Sequence, residues 1–119
     1  MRKKRELDRF ARFCFGRLNL PPIKIYYCPS KALVNQDGVY CFGCYTYDDR
    51  VREIWLAYRL PKFAVMGCIA HEIWHYKQHR DERIDKMPLE DCEKEAEQAS
   101  GELVGLWLIR GGKVPASST

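Results

Sequence analysis

The pattern in this chain with the most chemistry in it is His71-Glu72-Ile73-Trp74-His75, an HExxH sequence. Residues four apart lie one turn apart on the same face of a helix. Two imidazoles placed in this way can bind one Zn²⁺ through nitrogens at about 2.0–2.1 Å. Glu72, beside the first histidine, then reaches a water on the metal rather than the metal itself. Zinc lowers the pKa of such a water to about 7, and the carboxylate accepts its proton as a general base. The resulting nucleophile attacks a carbonyl polarised by the same ion. The competing reading is a surface helix with two histidines by chance. The chain has 3 histidines, and two of them fall in this motif, inside a strongly periodic helix that follows a strand hairpin. That context favours the metal reading.

A catalytic zinc needs a third protein ligand and one open position. His79 is the nearest by sequence, but three ligands strung along two turns of one straight helix do not converge on one ion. No glycine in Tyr76-Lys77-Gln78 breaks that helix. His79 is therefore read as a helix-end residue, where a cation favours the C-terminal dipole. The last helix offers Glu90, Asp91, Glu93, Glu95, Glu97 and Glu102. Most of them are expected to be solvated. Periodicity leaves Glu93 and Glu95 nearly tied as flanks of the apolar stripe Cys92, Ala96, Ala99, Leu103 and Leu106.

These residues must be held by elements that the pattern outlines. Leu7, Phe10, Ala11, Cys14 and Leu18 recur at helical spacing over 5–18, with arginines opposite and Pro21-Pro22 as the stop. Ile23 to Tyr27 reads as a short strand. Asn35-Gln36-Asp37-Gly38 is turn chemistry. Val39 to Tyr47 reads as a second strand, Asp48-Asp49-Arg50 as a tight turn, and Glu53 to Tyr58 as a third strand in a hairpin with the second. Pro61 suits the first turn of a helix over about 62–80, with Phe63, Met66, Ile69, Ile73 and Tyr76 as its apolar stripe. Pro88 opens a last helix, which Gly111-Gly112 closes. Residues 1–112 then form a single α+β domain: an N-terminal helix, a small three-stranded antiparallel sheet, the HExxH helix and a second helix carrying a glutamate ligand. Residues 113–119 read as a flexible tail.

With HEIWH followed by EKEAE, the chain resembles the gluzincin metallopeptidases, closest to compact proteins of the ImmA/IrrE type and the minigluzincins. The match is His71, Glu72 and His75, then Glu93, Ala96 and Glu97 in an ExxA(D/N/E) pattern, with Gln78 completing HExxHxxQ. It covers roughly residues 35–110. The resemblance implies one Zn²⁺ per chain on His71, His75 and Glu93, which decides between Glu93 and Glu95. It implies Glu97 behind a ligand histidine, accepting its other ring N–H. It also implies an edge strand beside the zinc that pairs with a peptide, here assigned to Val39, Tyr40, Cys41 and Tyr45. The expected activity is endopeptidase hydrolysis with Glu72 as general base. The alternative is a non-catalytic or latent zinc-binding relative acting as a regulatory or interaction module, with the tail over the cleft in the latent case. No histidine or tyrosine after the last helix offers itself to steady the oxyanion. Tyr40, Tyr45, Tyr47 and the arginines stay open as candidates.

Other features bound the partners. The net charge is +4, with Arg2, Lys3, Lys4, Arg5, Arg9, Arg12 and Arg17 all before residue 20. This reads as a solvated helix face rather than a nucleic-acid surface. The expected partners are a peptide or protein substrate and a regulatory protein. Leu103 to Ile109 is too short an apolar run to span a bilayer. The basic start lacks an apolar stretch of a signal peptide, so the expected location is the cytoplasm. The 6 cysteines are then expected as thiols, mostly small buried apolar residues. Cys41-Phe42-Gly43-Cys44 is a lone CxxC. Residues three apart on a regular strand point to opposite faces, so only a bulge or turn at Gly43 would bring those thiols together. Gly101 and Gly105 sit inside a helix, where close approach of another backbone is the expected reason. Trp55, Trp74 and Trp107 are expected in or near the core, with Trp74 able to line the cleft.

Overall fold

The computed structural model describes residues 2–111. The expected tail over 113–119, with Gly112, lies outside them. Helix α1 (Arg2–Arg17) buries Leu7, Phe10, Ala11, Phe13, Cys14 and Phe15. It stops before the prolines. Asn19 takes the left-handed conformation, φ 57°, and the Leu20 N–H folds back on the Phe15 carbonyl at 2.8 Å. Such a left-handed asparagine satisfies the last carbonyls without a glycine.

Five short strands follow: β1 (Lys24–Cys28), β2 (Leu33–Val34), β3 (Tyr40–Cys41), β4 (Gly43–Tyr47) and β5 (Arg52–Ala57). The main sheet has the order β1-β5-β4, and β2 and β3 form a separate pair. The expected α+β fold is what the chain adopts, but the three-stranded sheet is mixed rather than antiparallel. β4 and β5 pair antiparallel as the expected hairpin, Gly43 opposite Leu56 and Tyr47 opposite Arg52, while β1 lies parallel to β5. The connection between β1 and β4 explains this. It stays at one end of the sheet, where Cys28 accepts from the Tyr58 N–H and Phe42 from the Ala57 N–H, both at 2.9 Å. The chain crosses the end of β5 there, so β4 has to run back and β5 returns in the direction of β1.

Both expected turns form. Asn35 Oδ1 accepts the Asp37 and Val39 N–H groups at 2.9 and 3.0 Å. Asp48 Oδ1 accepts those of Arg50 and Val51, both at 2.7 Å. The single strand expected over Val39–Tyr47 is divided at Phe42: Tyr40–Cys41 pairs with β2, and Gly43–Tyr47 with β5. Gly43 permits the close approach on the far side of that break. A Cβ there would sit 2.9 Å from Leu56 Cδ2 and 3.3 Å from Glu72 Cγ.

Helix α2 (Lys62–Arg80) starts after Pro61, and α3 (Leu89–Ile109) after Pro88. Leu7, Phe10 and Cys14 of α1, Ile54 and Leu56 of β5, and Ile69, Ile73 and Tyr76 of α2 are fully enclosed in one core with Leu103 and Trp107 of α3. Each large apolar side chain so buried contributes about 1.5–3 kcal/mol. Phe63, expected in the α2 stripe, is exposed instead. It lies in the first turn of α2. Between α2 and α3, the Gly67 carbonyl accepts from Ser100 Oγ at 2.8 Å. A Cβ at Gly101 or Gly105 would meet nothing within 4 Å, so no backbone among the described residues approaches them closely. Among the described residues, no helix is long and apolar enough to cross a membrane.

Candidate metal centre

α2 carries His71 and His75 on the face toward α3, and α3 answers with Glu93. Glu93, Ala96 and Ser100 recur at helical spacing along one side of α3, and the small Ala96, fully buried, lets the two helices approach. His71 Nε2 lies 2.8 Å from Glu93 Oε2, and His75 Nε2 lies 3.2 Å from Glu93 Oε1. One ligand atom from each of the three residues falls within 4.8 Å of the others. The two imidazole nitrogens and one carboxylate oxygen match the donor set of an open zinc site. Both histidine–Glu93 separations, 2.8 and 3.2 Å, lie within the reach of two bonds of about 2.0–2.2 Å to one zinc ion. Of the described residues, these are the ones that the structure brings together as candidate ligands.

The orientation of His75 is fixed from behind. Its Nδ1–H donates to Gln78 Oε1 at 2.8 Å, and Gln78 Nε2 donates to the Cys92 carbonyl at 3.1 Å and to Glu95 Oε1 at 3.2 Å. Those two acceptors set which way the Gln78 amide points. The amide in turn places the imidazole proton on Nδ1 and leaves the Nε2 lone pair toward Glu93. Gln78 is fully buried. Glu97, expected behind a ligand histidine, is exposed on α3 and lines the cleft. The partner of the His75 ring is Gln78, one turn further along the same helix. Its i+3 spacing from His75 was the available signal. Gln78→Leu should therefore weaken metal affinity by about 10–100-fold, read by competitive zinc titration against a chromophoric chelator.

Glu95 has a different task from Glu93. Its Oε1 accepts from Trp74 Nε1 at 2.7 Å and Arg83 Nη1 at 2.9 Å, and its Oε2 from Arg83 Nη2 at 2.6 Å. Trp74 thus turns toward α3 and does not line the cleft. The Arg83 guanidinium, followed by the Trp74 and Gln78 donors, holds the Glu95 carboxyl down at about 2, against an ordinary 4.5. Between those values the unfolded chain binds the proton and the folded chain does not, so stability rises with pH there. The stabilisation is complete above about 4.5 and is lost as pH falls toward about 2. In thermal melts, the deficit of Arg83→Ala relative to the parent should be largest at neutral pH and shrink across that window. A deficit independent of pH would contradict the assignment.

His79 stands apart from the candidate ligands. Its Nδ1 lies 2.6 Å from the Tyr45 hydroxyl, and Tyr47 stacks on its ring with centroids 3.7 Å apart. Burial, then the charge of Arg52, lowers its pKa. Both causes act against a cation at the helix end, and a neutral His79 ring can accept from the Tyr45 hydroxyl.

Glu72 is 8% exposed, at the base of an open cleft of about 870 Å³ between β3–β4 and the two helices. Burial, then the nearby charge of Glu93, pushes its carboxyl up to about 8, opposed by a hydrogen bond from the Tyr45 backbone N–H. A dication among His71, His75 and Glu93 acts against both causes and draws the value back down. Tyr40, Cys41 and Tyr45 line the same cleft, whereas Val39 does not. Val39 instead closes the β2–β3 turn through its carbonyl, which accepts from the Asn35 N–H at 3.0 Å. The strand at the sheet edge beside Glu72 is β4, Gly43–Tyr47.

Comparison of the chain with protein-family models, with curated proteins and with solved structures finds no match.

Proposed function

We propose that this protein is a zinc-dependent endopeptidase of gluzincin type, working in the cytoplasm. The observation that carries the reading is the convergence of His71, His75 and Glu93 from two helices beside the buried Glu72, in a cleft open to solvent. Zinc, when bound there, supplies Lewis acidity toward a peptide carbonyl and acidifies water. The chain's own residues do the rest. His75 is held by Gln78 with its lone pair toward the ligand cluster. Glu72 takes a proton from the attacking water and passes it to the leaving amine. Burial works to raise its pKa and a bound zinc to lower it, so that the carboxylate can both take up the proton and hand it on. The free edge of β4 and the rim residue Tyr40 are where an extended peptide would lie.

A second reading, a zinc-binding regulatory module without turnover, is favoured by one contact. The Tyr45 hydroxyl, a candidate to steady the oxyanion, is already engaged by His79. Incubating the zinc-loaded chain with a degenerate peptide library separates the two. The peptidase reading expects cleavage that stops with chelator and returns with zinc. Full zinc occupancy with every peptide intact would overturn it in favour of the second.

A further inference from the structure

The peptidase reading leaves the CxxC at the cleft wall unused. Cys41 ends β3 and Cys44 lies in β4. A continuous strand would point them to opposite faces. The break at Phe42 removes that alternation, and the two thiols lie close enough for each to affect the other's ionisation. Both residues are half-buried and line the open cleft, unlike the enclosed Cys14 and Cys92. Cys68 of α2 also lines the cleft, and Cys28 is close enough to Cys44 to influence its charge. These two are the competing thiols.

We propose that Cys41 and Cys44 form a redox-active dithiol in the cleft wall, closed reversibly to an intramolecular disulfide by exchange with a low-molecular-weight disulfide such as glutathione disulfide. The Cys41 thiol loses its proton to solvent, and the thiolate attacks one sulfur of glutathione disulfide. The glutathione S–S bond breaks and one glutathione thiolate leaves. The Cys44 thiolate then attacks the Cys41 sulfur of the mixed disulfide and expels the second glutathione thiolate. Two protein thiols are oxidised, one glutathione disulfide is reduced, and the two departing thiolates take up two protons. Burial raises both protein thiols, with Glu72 adding to the effect, and Cys44 is pushed up to about 11. Exchange is therefore slow at neutral pH and accelerates about tenfold per pH unit above it.

The bridge would clamp the Phe42–Gly43 bend, whose glycine packs against Glu72. Oxidation should consequently lower turnover and reduction restore it. That consequence rests on the peptidase reading, while the dithiol itself does not. The test uses the zinc-loaded full chain, equilibrated in glutathione–glutathione disulfide mixtures, quenched in acid, alkylated and mapped by mass spectrometry. The expected result is a Cys41–Cys44 cross-link lacking two hydrogens, with the remaining cysteines alkylated, zinc content unchanged and full reversal by dithiothreitol. In Cys44→Ser the reaction should halt at a glutathione adduct on Cys41. The proposal is overturned if both thiols stay alkylatable in glutathione disulfide alone, or if either pairs with Cys28 or Cys68 instead. Activity is recorded in parallel. A cross-link without any peptidase activity at either redox state would count against the peptidase and leave the dithiol standing.

Discussion

Glu72→Gln is expected to lower peptide hydrolysis by about 10²–10⁴-fold, the usual contribution of a positioned general base, while zinc stays bound. Glutamine keeps the shape of the side chain and an oxygen for the Tyr45 N–H, so the wall of the cleft is conserved. It loses only the capacity to take up and return a proton. Glu72 is not among the converging ligand residues, which is why the metal should remain. The measurement is turnover and zinc stoichiometry on the same sample. Equal cleavage by parent and variant would remove Glu72 from the mechanism. Loss of zinc with loss of cleavage would make Glu72 a ligand instead.

The second large effect separates two glutamates that stand two residues apart. Glu93→Ala removes one of the three proposed protein ligands. In four-ligand zinc sites worth about 10–16 kcal/mol, an even share per ligand is about 3 kcal/mol, or about 10²-fold in affinity. Its fold should be intact, because Glu93 is half-exposed and its carboxylate contacts are the two histidines. Glu95→Ala should do the reverse. It leaves the Arg83 guanidinium, the Trp74 indole N–H and one Gln78 donor without their acceptor. Such charge-assisted bonds are worth about 1.5–3 kcal/mol, which lowers Tm by roughly 5–10 °C. Zinc affinity should fall only modestly, through the loosened Gln78. Calorimetric zinc titration and thermal melts of the two variants check both halves. Similar behaviour of the pair would contradict the division of labour.

What could be read from the chain and what could not divide along physical lines. The three helices, the HExxH face and the turns at Asn35 and Asp48 depend on spacing and caps within a few residues, and all of them appear where expected. The α1 stop came earlier, because Asn19 could adopt the left-handed conformation that ends a helix before a proline is needed. Strand pairing is set by residues distant in sequence. Nothing local to Ile23–Tyr27 says that it will lie parallel to β5, since that follows from a connection crossing the end of the sheet. The break at Phe42 was likewise hidden in a run of β-favouring residues, although the CxxC and Gly43 marked where it would matter. Glu93 and Glu95 could not be parted by periodicity, because both flank the same stripe. Their roles differ only in what α2 and the 81–88 connector present to each, His71 and His75 in one case, Trp74, Gln78 and Arg83 in the other. Gln78 itself was visible as part of the motif, but its hold on His75 needed the Cys92 carbonyl from another helix.

The central claim is that two helices of this chain assemble one zinc site. Zinc K-edge X-ray absorption on the stoichiometrically loaded protein tests it most directly, with metal analysis on the same sample. The structure predicts one zinc per chain, two imidazole nitrogens at about 2.0–2.1 Å and a carboxylate oxygen at about 2.0–2.2 Å, with the oxygen contribution altered in Glu93→Ala and unaltered in Glu95→Ala. A chain that retains no zinc, or a spectrum dominated by sulfur at about 2.3 Å and indifferent to Glu93, would contradict it.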